Sequence, residues 1–224
     1  MNFINGIALD GPAGAGKSSV GKALARSLDA MYLDTGAMYR AFGLAMLRRG
    51  VDIHDAEAVA AHAADSDITV DYVDGMQRIY IGAEDVTDAI RTPEVSSAAS
   101  AISAVAEVRT EMVALQRRIA AGHNVVMDGR DIGTVVLPNA TLKVYMTASA
   151  EVRAQRRCTE LQQKGTPQPF EQVLSDIEAR DYRDTHREAS PLTVAEDAVT
   201  LDTSDMDLEQ SVAALRALAE KTCM

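Results

Sequence analysis

The sequence is poor in several of the features that organise whole classes of protein. Its two cysteines, Cys158 and Cys223, stand far apart, with neither metal-ligand nor redox spacing. Disulfide scaffolds and thiolate centres are therefore excluded as organising principles, and both thiols are read as reduced bystanders. Positive charge is scarce too, with 22 Lys and Arg against 33 Asp and Glu and a formal net charge of −11. That balance opposes nonspecific adhesion to nucleic acid or an anionic membrane, so neither is expected as a partner and any phosphate must be met locally. No apolar run approaches the ~20 residues of a membrane helix. The first residues, MNFINGIALDG, carry no basic region ahead of an apolar one, and a cytoplasmic location is expected. Repeats, low-complexity stretches and Pro/Ser-rich linkers are also missing, which favours a single domain over 1–224.

What is present is a chain of 224 residues, 47% hydrophobic, long enough to bury a substantial core. Short apolar runs alternate with longer segments of helical period, the pattern of an α/β fold with a parallel sheet flanked by helices. Strands are predicted near Ile4–Leu9, Met31–Leu33, Asn124–Met127, Leu142–Met146 and Ala198–Leu201. Helices are predicted near Lys17–Asp29, Gly36–Arg49, Glu94–Ala121, Ala150–Lys164, Phe170–Arg187 and Asp207–Lys221. Between Ile68 and Val86, apolar residues alternate around Asp74-Gly75, a strong hairpin signal, so a small antiparallel unit is expected as an insert.

The sharpest motif is Gly11-Pro12-Ala13-Gly14-Ala15-Gly16-Lys17-Ser18, a complete match to G-x-x-x-x-G-K-[ST] between a strand-like and a helix-like segment. Backbone N–H groups of such a loop, with Ser19 behind it, turn toward the phosphates of a nucleotide at a helix N-terminus. Lys17 is placed to reach the β- and γ-phosphates, and Ser18 to offer its hydroxyl to Mg²⁺. The bland alternative is a glycine-rich turn that binds nothing.

A phosphate loop leaves switch, motor and kinase open. A GTPase switch needs D-x-x-G and N-K-x-D motifs, and neither occurs in suitable context. A kinase needs a second anion site facing the γ-phosphate, for which arginine forks are suited. Arg153, Arg156 and Arg157 fall at i, i+3, i+4 before the QQKGTPQP segment, and Arg180, Arg183 and Arg187 at i, i+3, i+7 after it. Each trio can share a helix face around a closing lid, or can simply lace a solvated helix with ion pairs.

Five stretches, DGPAGAGKS, LDTGAMYR, IRTPEVS, DGRDIGTVVLP and RDYRDTHREASPL, in this order and spacing, resemble the bacterial cytidylate (CMP/dCMP) kinases among the phosphate-loop nucleoside-monophosphate kinases. The resemblance runs nearly end to end. It implies ATP as phosphoryl donor, CMP and dCMP as acceptors, Mg²⁺ as cofactor, a five-stranded parallel sheet and a monomer. It also implies a monophosphate-binding region over 35–121 containing a β insert at 62–89, and a lid at 153–168. Position by position, the implied acceptor site falls on Thr35, Arg40, Ser100, Arg109, Arg130, Asp131, Arg180, Asp184 and Arg187. Arg40, Arg130 and Arg187 are expected to clamp the acceptor phosphate, and Arg180 and Asp184 to meet the ribose. Arg153, Arg156 and Arg157 resemble lid arginines that close over the ATP phosphates, and Lys17, Asp128, Arg130 and Arg157 are the expected catalytic groups.

The stretch VVMDGRDIGT then acquires a reading of its own. Asp128 ends an apolar run and is placed to hold Mg²⁺ through water together with Ser18, or else to form a turn or a cap. Arg130 can reach the acceptor phosphate, Gly129 lets the chain bend tightly, and Asp131 is expected to read the cytosine amino group unless it only pairs with Arg130 or Arg109. The remaining alternatives are a nucleotide-binding switch and a kinase for UMP, shikimate or another small acceptor.

Overall fold

The computed structural model describes residues 5–65 and 67–223. Its centre is a five-stranded parallel sheet in the order β2-β6-β1-β7-β8. The strands are β1 (Ile7–Asp10), β2 (Met31–Asp34), β6 (Val125–Asp128), β7 (Leu142–Thr147) and β8 (Val199–Asp202). Each expected strand is found, shifted by a residue or so toward the C-terminus; the expected start of the first, Ile4, lies outside the described residues. Side chains alternate across this sheet as the pleat demands. Ile7, Leu9 and Val126 enter one buried cluster with Leu24 and Leu215, whereas Ala8, Val125 and Met127 enter the larger one with Phe42, Met46 and Met112.

The first cluster is roofed by α1 (Lys17–Ser27) and α8 (Leu208–Cys223), the second by α2 (Thr35–Arg48), α4 (Pro93–Ile102) and α5 (Ala106–Ala120). The expected single helix over Glu94–Ala121 is therefore two. Ser103 caps α4, its hydroxyl donating back to the Ser100 carbonyl, and Val105 then turns extended before α5 begins. No glycine or proline marks this break, which explains why the pattern conceals it. A short helix α3 (Ala56–Ala60), capped by the Asp55 carboxylate, was also not expected.

The insert is a three-stranded antiparallel sheet, β3 (Ile68–Val73), β4 (Met76–Ile81) and β5 (Glu84–Asp85), rather than a hairpin alone. The predicted turn is where it should be: Val73 pairs with Met76, and Asp74 and Gly75 both take positive φ, 52° and 72°, as a two-residue type I′ turn requires. Helices α6 (Ala150–Gln163) and α7 (Phe170–His186) pack on each other around Ala154, Leu161, Val173 and Ile177, a small core separate from the two main ones. Among the described residues no helix is long and apolar enough to cross a membrane.

Candidate active site

In a parallel sheet the strands deliver their C-terminal ends to one edge, where ligands are bound. Here β1, β2 and β6 all end in aspartate, and Asp34 and Leu9 flank Asp128 in register. A cleft of about 810 Å³ opens above them. It is lined on one side by the phosphate loop and on the other by Arg40, Arg109, Arg130, Arg180, Arg183 and Arg187.

On the loop side, Gly16 takes the left-handed conformation as the N-cap of α1 and offers no side chain, so the first helical N–H groups lack a side-chain acceptor. Lys17 is buried, its Nζ donating to the carbonyls of Gly11 at 2.6 Å and Pro12 at 2.7 Å. An ammonium has three donors, so one remains for a ligand. Burial, with Arg130 next, holds the Lys17 amine well below its ordinary pKa. Ser18 Oγ donates to Asp128 Oδ2 at 2.7 Å, and Tyr32 Oη donates to Asp128 Oδ1 at 2.9 Å. Burial raises the Asp128 carboxyl above its usual range, and the nearby Asp34 raises it further. Asp34 behaves oppositely: burial pushes its carboxyl up, but the Arg40 and Arg91 guanidiniums outweigh that and hold it low.

A divalent cation would suit this corner. Ser18 and Asp128 set two hard oxygens side by side, and an added cation would relieve the crowding that raises Asp128. Among the described residues no group of three or more His, Cys, Asp or Glu could cage a metal alone. That fits an ion completed by phosphate oxygens and water, as Mg²⁺ prefers.

The chain bends over 129–131 as expected. Gly129 serves there by allowing close approach, because a Cβ would lie 2.8 Å from Thr35 Oγ1 and 2.6 Å from Ile132 Cδ1. Thr35 Oγ1 is thereby left free to donate to the Asp128 carbonyl at 2.8 Å. Arg130 Nε donates to Asp184 Oδ2 at 2.7 Å. Burial pushes the Asp184 carboxyl up, but Arg130 and Arg180 prevail and leave it below its ordinary value. Arg109 Nη2 is ion-paired with Asp131 Oδ2, and its Nη1 donates to the Ser103 carbonyl at 3.2 Å. The Asp131–Arg109 pairing left open by the sequence thus exists.

Several of the acceptor-side cations are only partly satisfied. Arg40 Nη1 lies 3.9 Å from Asp34 Oδ2, an ion pair too long to be a hydrogen bond. Among the described residues Arg40 Nη1, Arg109 Nε, Arg180 Nε and Arg187 Nη2 are buried without a hydrogen-bond partner. Burial, aided by Arg130, lowers Arg180 to about 10, and burial depresses Arg40 and Arg187 as well. Buried donors without acceptors are costly, and an anion with several oxygens is what would satisfy them.

The first arginine trio does not converge. Arg153 is buried, donating to Asp181 through both terminal nitrogens, at 3.1 and 2.6 Å, and to the Ala13 and Ala148 carbonyls. Expected over the ATP phosphates, it forms here a strut from α6 to α7 and the loop. Arg156 donates to Thr203 and Met206 near the end of β8, and Arg157, half-exposed, pairs with Glu160. Both still line the cleft, as does Lys164, which the sequence reading passed over. Other residues it missed are Asp10, Tyr32, Asp34 and Arg91, while Arg183, named in the second trio, also lines the cleft. A carboxylate at the end of each of three adjacent apolar runs was the available signal for Asp10 and Asp34; Tyr32 and Arg91 gave none.

The sequence model of the cytidylate kinase family matches residues 7–221. A cytidylate kinase of Caldicellulosiruptor bescii is 49% identical over 210 residues, 94% of this chain and 92% of that protein. One from Mycolicibacterium paratuberculosis is 50% identical over 216 residues, covering 96% and 95%. Among solved structures, an uncharacterized protein from Eubacterium ventriosum aligns over 96% of this chain and 97% of its own at 10% identity and a TM-score of 0.52, a likeness of fold alone.

Proposed function

The chain belongs to the cytidylate kinase family, and from that membership we infer an enzyme that transfers the γ-phosphoryl group of ATP to CMP and dCMP across this cleft. The observation that carries the assignment of sides is the asymmetry of its walls. One wall is a phosphate loop ending in Lys17; the other holds buried guanidinium nitrogens of Arg40, Arg180 and Arg187 with no partner of their own.

The reacting oxygen of a monophosphate is already anionic, so no base has to remove a proton. Catalysis then rests on alignment of two anions and on cancelling their charge. The loop amides and the remaining donor of Lys17 hold the donor's β- and γ-oxygens. Arg40, Arg130 and Arg187 hold the acceptor phosphate, and Arg180 with Asp184 meets the ribose. Ser18 and Asp128 would hold Mg²⁺, Asp128 through water, and the ion would supply positive charge to offset that of the phosphates. Asp131 accepts from the cytosine amino group, with Ser100 beside it, while Arg109 donates to the ring. The pairing of Arg109 with Asp131 orients both for that contact. Arg156 and Arg157 are assigned to the ATP phosphates, within a lid at 153–168 that closes to exclude water; the acceptor region is 35–121 and includes the insert at 62–89.

We assign the enzyme to the cytoplasm as a monomer. Purified protein with ATP and a panel of CMP, dCMP, UMP, AMP and shikimate tests the reading. ADP should form rapidly only with the two cytidylates; equal turnover with UMP, or ADP formation independent of acceptor, would overturn it.

A further inference from the structure

Asp10 is a buried carboxylate that none of the roles above uses. It is the last residue of β1, 6% exposed, and immediately precedes Gly11 of the phosphate loop. Its Oδ1 accepts from the Ile132 amide at 2.8 Å and its Oδ2 from the Gly133 amide at 2.7 Å. Those amides open a π-helical turn over Ile132–Val136, whose first N–H groups have no acceptor within the turn. Three residues earlier, the Gly129 amide donates to the Leu9 carbonyl at 2.9 Å. The loop is therefore fastened to β1 at two points, by the main chain of Leu9 and the side chain of Asp10. The two residues between the fastenings are Arg130 and Asp131.

We propose that Asp10 is a positioning residue for the acceptor: its two oxygens clamp the Ile132 and Gly133 amides and so set Arg130 and Asp131 against the phosphate loop. The proposal rests on the acceptor-side reading of Arg130 and Asp131. Two adjacent N–H donors in a dry site need two acceptor oxygens, which a carboxylate has and a carboxamide does not. Burial is the main influence on Asp10, raising its carboxyl to about 6 against the pull of the two amides. The charged and titratable groups facing it are Lys17 from α1, Asp131 and Arg130 from the loop, and Tyr145 from β7; the Lys143 side chain packs on the adjoining Gly133.

Asp10→Asn retains shape but turns one N–H₂ toward a backbone N–H. The kcat/KM for CMP should fall about tenfold or more, the scale of one buried amide left without its acceptor. The CMP:UMP ratio of kcat/KM should fall with it, while KM for ATP stays within about twofold, because the loop's own amides are untouched. A uniform loss that preserves the ratio, or wild-type kinetics, overturns the proposal; a wild-type enzyme inert toward CMP would instead overturn the kinase reading. Should the variant not fold, amide exchange decides on the wild-type protein. Protection of Ile132 and Gly133, corrected for intrinsic rates, should drop as pH falls through about 6, where the carboxyl takes up its proton. Protection that is independent of pH overturns the clamp.

Discussion

The two walls of the cleft are made of similar charges but are finished differently. On the phosphate-loop side, Lys17, Ser18 and Tyr32 each have hydrogen-bond partners within the protein. On the acceptor side, four arginines keep a buried nitrogen with none. The loop grips a group common to every nucleoside triphosphate, through backbone amides that any strand-loop-helix of this shape supplies. On the proposed reading the opposite wall recognises one base and one monophosphate, with side chains that the ligand would complete. Generic binding is thus built into the fold, whereas selective binding is held in groups that burden it.

The largest expected effect removes the phosphate loop's own cation. Lys17→Ala should lower kcat by at least about a thousandfold, the range lost with a preorganised donor to transition-state charge, with circular dichroism unchanged. Near-normal turnover would erase the distinction between the walls as drawn.

Next comes selectivity. Cytosine presents an amino donor where uracil presents a carbonyl, so UMP would set an oxygen against the Asp131 carboxylate and an N–H against Arg109. Two such mismatches cost ~1–3 kcal/mol each, or roughly two to four orders of magnitude together. Asp131→Ala should collapse the CMP:UMP ratio of kcat/KM by that order. A uniform loss with the ratio intact would mean that the Asp131–Arg109 pair only supports structure.

A smaller effect tests the burden directly. Arg180 is lowered to about 10 by burial and by Arg130, so its charge is disfavoured in the folded state. Arg180→Met should raise Tm by about 2–4 °C, the shift for ~1 kcal/mol in a chain of this size, while weakening CMP binding. The sign with pH follows from the depressed value: the penalty is fully present below pH 10 and fades as the folded-state arginine loses its proton above it. The Tm gap between variant and wild type should therefore narrow as pH rises through about 10. A lower Tm for the variant would show the wall to be satisfied after all.

The smallest effect concerns the insert. Gln77 pairs with both main-chain groups of Asp34, its Oε1 accepting from the Asp34 amide at 2.7 Å and its Nε2 donating to the Asp34 carbonyl at 3.2 Å. Asp34 in turn caps α2 and faces Arg40. Gln77→Ala should raise KM for CMP about two- to fivefold and leave KM for ATP alone, as loss of one neutral hydrogen-bonded contact at a distance from the ligand would.

What the sequence showed of this molecule depended on the range of each contact. The five strands and the phosphate loop are local patterns, and so is the Asp74-Gly75 turn. The break in Glu94–Ala121 is made by Ser103 and Val105, residues that a helix could also hold, and tertiary packing decided it. Arg153 looked like a lid arginine because its partner Asp181 is 28 residues away on another helix. Asp10 was passed over because the amides it holds lie 122 and 123 positions on. The acceptor residues were placed by resemblance, since their convergence from α2, α4, α5, the β6 loop and α7 leaves no periodicity to read.

The contact between the insert and β2 has a second consequence, for the behaviour of many copies together. β2 is an edge strand, and the main-chain groups it turns outward are those of residues 32 and 34. Gln77 covers Asp34, and the Tyr72 hydroxyl donates to the Tyr32 carbonyl at 3.0 Å. An uncovered edge of this kind is a template on which another molecule's strand can add, the first step toward aggregation. The opposite edge, β8, is a strand of the same four-residue length. A version of this protein trimmed of β3 to β5 would uncover the main-chain groups of Tyr32 and Asp34 and be expected to come out of solution during expression.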